Sequence, residues 1–289
     1  MKRRLILAVA FVSTVAFAFV AGTKIINALQ RTTYTQTYST QVNGMTRSWE
    51  VIAPVAALPD KAPIIVMLSG IAAGVDQEVT RDHFLPYASA GVAELVYPEG
   101  YDKSWNAGGC CGGAAAKKVD DVAFLTALVP HVDPGHKHPI YLVGYSNGGR
   151  MAYRMACSAP GVFDAIAVAK AMPTPGCVVT RPVTILQIAS LNDTAVPYKP
   201  GEHGKENPPA TVEVGLLRAT DNCSERSVVS PFPGLTLTTW NDCVAGTRVQ
   251  FAVWNTGGHN FPPPRPKTPS AAQVTYAFIT GTPVAPLPK

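Results

Sequence analysis

Short apolar runs alternate with amphipathic stretches along most of the chain. Residues 64–68 and 140–143 are continuous apolar runs rich in β-branched side chains, a pattern typical of parallel strands that are buried on both faces. Residues 119–129 instead carry valine and leucine at helical spacing, with acids in the first turn, where the helix dipole favours them. This alternation predicts an α/β fold in which helices cover both faces of a mostly parallel sheet.

The same patterns predict the other elements. Asn43-Gly44 separates two alternating stretches, 34–42 and 46–53, and readily adopts the positive φ angles of a tight hairpin, so an antiparallel N-terminal edge is expected. The remaining predicted strands are residues 92–97, 165–171, 183–189, 235–240 and 248–254, and the remaining predicted helices are residues 86–90, 149–157, 211–220 and 270–279.

The first residues have the features of a targeting segment. A basic start at residues 2–4 precedes an apolar stretch, residues 5–20, and small side chains that suit a signal peptidase. Residues 1–22 are therefore expected to be a signal peptide that directs export. If this segment is not cleaved, residues 5–21 are expected to attach the protein to a membrane.

Composition narrows the function classes. The chain has 289 residues, 47% of them hydrophobic and 15% charged, which is enough for one large core. Its net charge of +5 is spread along the chain, which argues against a nucleic-acid-binding protein. The cysteines all follow the N-terminal segment and form no C-x-x-C pair, so disulfides are expected and a metal site is not.

One stretch carries the clearest chemical signal. A predicted strand runs directly into Gly144-Tyr145-Ser146-Asn147-Gly148, which has the pattern G-x-S-x-G, and then into a predicted helix. In this setting the serine oxygen is expected at the carboxyl end of the sheet, with the N-terminal end of the helix directed at it. Ser146 is therefore a candidate nucleophile. A plain glycine-rich turn is the alternative.

A serine nucleophile needs a base, and the base needs an acid that holds it in one tautomer. His259 directly follows a predicted strand and is preceded by two glycines, which sets it apart from the other histidines. Asp193 also comes just after a predicted strand, so both are expected at the same edge of the sheet as Ser146. The order Ser146, Asp193, His259 is that of α/β-hydrolases.

This order predicts one α/β-hydrolase domain over residues 32–281, followed by a proline-rich tail at residues 282–289. Backbone N–H groups should bind the negative charge that develops when the serine attacks. One is expected at Asn147, directly after the nucleophile, and the other at Gly70 or Ile71, in the loop after the strand at residues 64–68.

Longer motifs resemble one known family. They are VNGMTRSWEVIAP, IIVMLSG, VYPEGYDKSWNAGGCCG, VDDVAFLTAL, GYSNGGRMAYRMAC, NDTAVPY and GGHNFP, which extend from about residue 35 to residue 280. Their joint order is similar to that of secreted polyhydroxybutyrate depolymerases and feruloyl esterases, grouped with carbohydrate esterase family one. The resemblance implies an esterase with Ser146 as nucleophile, Asp193 as acid and His259 as base, needing no cofactor, and a disulfide between Cys223 and Cys243.

The resemblance also places the Trp105-Asn106 loop beside the active site. Members usually carry His-Gly after the third strand, whereas this chain has Ser69-Gly70. Backbone donors survive a change of side chain, so activity is expected to persist with a different shape of the loop. Ser69, Trp105, Asn106 and Tyr145 are accordingly the candidate substrate-pocket residues.

Topology sorts the other cysteines. Cys110, Cys111 and Cys177 each follow the carboxyl end of a predicted strand, whereas Cys157 lies a helix length, about 15 Å, away towards the other edge. Because a disulfide spans only about 6 Å between Cα atoms, Cys177 is expected to pair with Cys110 or Cys111.

The leading hypothesis is an exported serine esterase that cleaves a polyhydroxyalkanoate-type polyester or an acylated plant polysaccharide through an acyl-enzyme. It is expected outside the cell, or anchored to the cell envelope by its N-terminal segment. An alternative is a catalytically silent carbohydrate- or cell-wall-binding protein on the same fold, and a peptidase would keep the same three residues. The sequence favours no oligomeric state.

Overall fold

The computed structural model describes residues 32–200 and 208–288. The targeting segment predicted at residues 1–22 lies outside the described residues. Within the described ranges, no helix combines the length and the apolar character needed to cross a bilayer.

One sheet of ten strands runs through the described residues. In chain order the strands are β1 (Thr33–Val42), β2 (Met45–Pro54), β3 (Ile64–Leu68), β4 (Glu94–Pro98), β5 (Ile140–Tyr145), β6 (Ala165–Ala169), β7 (Ile185–Ser190), β8 (Val228–Phe232), β9 (Leu235–Trp240) and β10 (Val249–Trp254). The α-helices are α1 (Val75–Asp82), α2 (Leu85–Ser89), α3 (Gly112–Ala116), α4 (Asp121–Val132), α5 (Asn147–Ser158), α6 (Ala210–Thr220) and α7 (Ala271–Thr280).

The strand order across the sheet is β1-β2-β4-β3-β5-β6-β7-β10-β9-β8. The strands from β4 to β10 in this order are parallel to one another. The hairpin of β1 and β2 forms an antiparallel edge, and β9 and β8 form a second one at the other side. The predicted fold class, a mostly parallel sheet with an antiparallel N-terminal edge, is confirmed.

Burial on both faces explains why the central strands read as unbroken apolar runs. Every residue of β3, β6 and β7 is buried. Ile65 and Val66 belong to two different apolar clusters, because successive side chains of a strand point to opposite faces. Since the central strands are parallel, their carboxyl ends gather at one side of the sheet, which we call the C-terminal edge.

The sequence patterns did not predict α1, α3 or β8, and for α1 and β8 the reason is physical. The buried side chains of α1 are Glu78 and Asp82, so this helix has no apolar stripe. Strand β8 contains Pro231 and exposes Val228 and Val229, which only an outer strand tolerates. In both cases tertiary position, and not local pattern, determines the structure.

One predicted disulfide is wrong. Cys177 pairs with Cys157, with 5.6 Å between their Cα atoms, and not with Cys110 or Cys111. The adjacent Cys110 and Cys111 pair with each other.

The direction of the chain after β6 explains why Cys177 pairs with Cys157. Because β6 and β7 are parallel, residues 170–184 must return along the sheet before β7 can begin. They bring Cys177 to α5, where its Sγ lies 3.3 Å from the carbonyl oxygen of Tyr153. The predicted pair Cys223 and Cys243 is confirmed.

Candidate active site

The turn between β5 and α5 has the backbone of a nucleophile elbow. Ser146 adopts φ 53° and ψ −115°, a left-handed conformation that costs a residue other than glycine about 1–3 kcal/mol. Its N–H donates to the Ala169 carbonyl at 2.9 Å. A Cβ atom at Gly144 would overlap the Gly148 carbonyl, and one at Gly148 would overlap the Leu68 carbonyl. Both glycines are therefore required for close approach of the backbone.

The histidine nearest to this serine comes from the loop after β10, residues 255–261, which we call the base loop. Ser146 Oγ lies 3.0 Å from Nε2 of His259. Gly257 and Gly258 take φ angles of 122° and 56°, which let the loop bend back over the elbow. Asn192 accepts the N–H of Gly258 through Oδ1 at 2.9 Å, and so ties the base loop to the chain after β7.

The acid comes from the loop after β7, residues 191–197, which we call the acid loop. Asp193 Oδ2 lies 3.1 Å from Nδ1 of His259, and its side chain is only 2% exposed. Oδ1 also accepts the N–H groups of Ala195 and Val196 at 2.8 and 3.0 Å. Burial alone would raise the pKa of Asp193, but the hydrogen bonds from His259 and from these N–H groups lower it. The carboxylate is therefore held in its ionised form.

Tyr145 lies under the base loop. Its hydroxyl donates to the backbone carbonyl of His259, and its ring lies 5.8 Å from the imidazole. Phe261 packs edge-on against the same ring, and the guanidinium of Arg81 lies 5.1 Å from its centre. Only 9% of the surface of Tyr145 is exposed, and the residue packs against the base loop that carries His259. That Tyr145 lines the substrate pocket stays a prediction.

The loop after β3 touches the nucleophile. A Cβ atom on Gly70 would lie 2.9 Å from the ring of Tyr145 and 3.5 Å from Cβ of Ser146, so only glycine fits. Burial raises the pKa of Glu78 to about 7, although Arg81 and the N–H of Gly70 oppose this rise.

Trp105 does not face a ligand, contrary to the prediction. Its side chain is fully buried, and Nε1 donates to the carbonyl of Ser69 at 3.1 Å. Its backbone N–H donates to Oδ1 of Asn147 at 2.7 Å, while Nδ2 of Asn147 donates to its carbonyl at 3.0 Å. Trp105 therefore joins the loop after β3 to the nucleophile elbow. Ser69 is itself only 7% exposed.

Asn106 forms hydrogen bonds that hold the loop containing Trp105. Its N–H donates to Asp121 at 2.7 Å, and its side-chain amide donates to the carbonyl of Val119 at 2.8 Å. Asp121 forms a buried ion pair with Arg47, with 2.8 Å between the charged atoms. These bonds turn the Asn106 amide towards α4. Asp121 is one of the acids in the first turn of this helix, and its ion pair with Arg47 has no counterpart in the sequence pattern.

Sequence reasoning also missed two buried charges beside the elbow. Glu78 lies in a helix without an apolar stripe, so nothing in the local pattern marks it. Lys170 directly follows β6 and is 1% exposed. The topological argument that found Asp193 and His259 did not find Lys170, because the strand predicted at residues 165–171 includes it, whereas β6 ends at Ala169.

Two curated relatives carry esterase names. The protein named "Putative esterase NocK", from Nocardia uniformis, is 30% identical over 254 residues, covering 76% of this chain and 72% of that protein. A feruloyl esterase C of Aspergillus niger, named as probable, is 24% identical over 215 residues, covering 71% and 73%. No protein-family model matches the chain.

Two solved structures share the fold. The acetyl xylan esterase from Aspergillus awamori superposes with a TM-score of 0.56 at 12% identity, covering 80% of this chain and 95% of that structure. A feruloyl esterase module from Clostridium thermocellum, in complex with sinapinate, has a TM-score of 0.52 at 11% identity and covers 79% and 83%. At these identities the likeness concerns the α/β-hydrolase fold alone.

Proposed function

The chain belongs to the esterase family that includes NocK and the feruloyl esterases C, and we propose that it cleaves its substrate through a serine acyl-enzyme. It is a carboxylic ester hydrolase. The serine mechanism rests on one observation, the relay in which Ser146 Oγ lies 3.0 Å from His259 Nε2 and His259 Nδ1 lies 3.1 Å from Asp193. The first distance is within the reach required for proton transfer, and the second is that of the hydrogen bond that orients the base.

The relay accounts for each step of ester hydrolysis. His259 Nε2 takes the proton of Ser146 as its oxygen attacks the ester carbonyl, and then gives that proton to the departing alcohol. The acyl group is left on Ser146. Water attacks it with the same base, which releases the acid and restores the serine. Asp193, ionised and buried, keeps the proton of neutral His259 on Nδ1 and stabilises the imidazolium.

The oxyanion is proposed to bind at the N–H group of Asn147 and at that of Gly70 or Ile71. Asn147 opens α5, so its N–H has the position of a free helix N-terminus. Gly70 and Ile71 belong to the loop after β3, which touches Ser146. Loss of one such donor typically lowers kcat about 10²–10³-fold.

The substrate is proposed to be an ester on a polymer, either an acylated plant polysaccharide or a polyhydroxyalkanoate-type polyester. The site is open, since the side chain of His259 is 30% exposed and Ile71 beside the elbow is 50% exposed. An open rim admits a chain that passes across it. The name of the feruloyl esterase relatives favours the acylated polysaccharide.

Export is proposed from the N-terminal segment and from the disulfides, which persist in oxidising compartments. Residues 32–281 are proposed to act as one catalytic domain, because the relay combines loops from the middle and the end of this range.

Hydrolysis of 4-nitrophenyl butyrate by wild type, Ser146→Ala and Ser158→Ala tests the mechanism. Ser158 is exposed at the far end of the same helix, so it is a matched control. We expect Ser146→Ala to lose at least about 10⁴-fold in kcat and Ser158→Ala to match wild type. Equal rates for Ser146→Ala and wild type would contradict the proposed function.

A second experiment addresses the substrate. Turnover of methyl ferulate, acetylated xylan and hydroxybutyrate oligomers is compared at equal ester concentration. We expect the largest kcat/KM on one of the polysaccharide-type esters. A preference for hydroxybutyrate oligomers would assign the polyester instead.

A further inference from the structure

Lys170 is energetically unfavourable at its position in the folded protein. It directly follows β6, is 1% exposed, and has a left-handed φ of 57°. Burying an ammonium group and holding a residue with a Cβ atom in this conformation both disfavour the folded state. A small or apolar side chain would pack better at this position. Because Lys170 has two unfavourable features and lies at the edge that carries the triad, we expect it to support catalysis.

The side chain of Lys170 connects three strand ends. Nζ donates to Oγ of Ser190, the last residue of β7, and Oγ of Ser190 donates to the carbonyl of Thr256 after β10 at 3.3 Å. The acid loop begins directly after Ser190, and Thr256 belongs to the base loop. One ammonium thus holds the origins of the two loops that carry Asp193 and His259.

The charge of Lys170 acts on the acid. Burial lowers the pKa of Lys170 to about 7, and the nearby carboxylate of Asp193 opposes that fall. Below neutral pH the lysine is therefore charged. The carboxylate of Asp193 then interacts with two cations: protonated His259, to which it is hydrogen-bonded, and Lys170, whose side chain bonds to Ser190, three residues before Asp193.

Other charged and titratable groups near the relay lie on α1, β5 and α5. Arg81 Nη1 lies 3.0 Å from Oε2 of Glu78, and because burial raises the pKa of Glu78 to about 7, Arg81 stays positively charged at acidic pH. Tyr145 bonds to the backbone of His259 and its pKa is raised by burial, so it stays neutral. Arg150 lies one turn after Ser146 on α5. Among the cations near the relay, Lys170 is the one that is bonded to the end of β7, where the acid loop begins.

We propose that Lys170 is a positioning residue of the triad, which holds the acid loop against the base loop and sets the pH at which His259 becomes an effective base. This inference rests on the proposed function. It extends that function by assigning a fourth residue, one that never touches the substrate.

Profiles of kcat/KM against pH test the electrostatic part. Lys170→Met removes the cation next to Asp193, so protonated His259 is better stabilised and the acidic limb of the profile shifts upward. A unit charge at such a site is expected to move the midpoint by about 0.5–1 pH unit. Lys137→Met removes an exposed lysine at the opposite edge and controls for net charge. Its midpoint should equal that of wild type.

Two further variants keep the test decisive. Lys170→Gln retains a hydrogen-bond donor without the charge and should show the same upward shift, even if Lys170→Met does not fold. Ser190→Ala removes the bridge between the two loops, so kcat should fall about 3–10-fold while KM changes little.

A midpoint in Lys170→Gln within 0.2 pH unit of wild type, or an equal shift in Lys137→Met, would overturn the electrostatic role. Unchanged kcat in Ser190→Ala would overturn the bridge. An inactive wild type, or an active Ser146→Ala, would instead overturn the proposed function and this inference with it.

Discussion

The side chain of Asn147 ties the nucleophile elbow to the Trp105 loop, and Asn147→Ala removes that tie. The amide is 2% exposed and exchanges two hydrogen bonds with the backbone of Trp105, at 2.7 and 3.0 Å. The backbone N–H of residue 147, which is proposed to bind the oxyanion, remains in the variant. The substitution therefore separates the support of the loop from the donor itself.

The expected loss follows from which group remains without a partner. The carbonyl of Trp105 also accepts the N–H groups of Ala107 and Cys111, each at 3.1 Å, so it stays satisfied. The N–H of Trp105 loses its partner in a buried place, which costs about 1–3 kcal/mol. With the small cavity added, Asn147→Ala should lower the free energy of unfolding by about 2–4 kcal/mol.

Urea denaturation measures this loss directly as a lower midpoint at constant slope. Asn255→Ala, at an exposed position, is the control and should change the free energy of unfolding by less than about 0.5 kcal/mol. We also expect kcat to fall about tenfold with KM almost unchanged, because the loop after β3 depends on Trp105. A loss below about 0.5 kcal/mol in Asn147→Ala would refute the reasoning.

Three other predictions address the surroundings of the site. Burial raises the pKa of Glu78 from its ordinary 4.5 to about 7. Between these pH values the folded protein holds a proton that the unfolded chain releases. The free energy of unfolding should therefore fall as pH rises from 4.5 to 7, by up to about 3 kcal/mol. Urea denaturation at both pH values should show that Glu78→Gln removes this slope; parallel slopes would contradict the burial argument. Asn192→Ala frees the N–H of Gly258, so kcat should fall about tenfold at unchanged stability, and an unchanged kcat would show that the base loop needs no tie. Replacing Cys157 and Cys177 by serine should cost about 3 kcal/mol for a loop of 20 residues, measured by denaturation, whereas non-reducing peptide maps without a Cys157–Cys177 link would contradict the pairing.

The triad residues could be selected from the sequence because strand ends are easy to locate. An unbroken apolar run identifies a strand buried on both faces, and parallel strands send their following loops to one edge. Ser146 and Asp193 each follow such a run, and His259 follows the alternating strand predicted at residues 248–254. In the structure these three side chains meet within hydrogen-bonding distance.

The surroundings of the triad could not be selected in the same way. Trp105 lies in a glycine-rich loop, which suggests an exposed ring, yet the ring is fully buried and the backbone N–H of Trp105 bonds to a side chain 42 residues away in sequence. Cys157 and Cys177 meet only because the connection between β6 and β7 returns along the sheet and passes beside α5. The role of Glu78 depends on a loop that precedes it, and that contact leaves no periodic pattern.

The most direct test of the central claim is covalent labelling with an organophosphonate, followed by peptide mapping. A serine activated by His259 should take up one equivalent of the reagent, and the label should map to the peptide that contains Ser146. Labelling of His259→Ala should be slower by at least about 10²-fold, because the hydroxyl then has no base. Label at another residue, or equal rates in wild type and His259→Ala, would contradict the account.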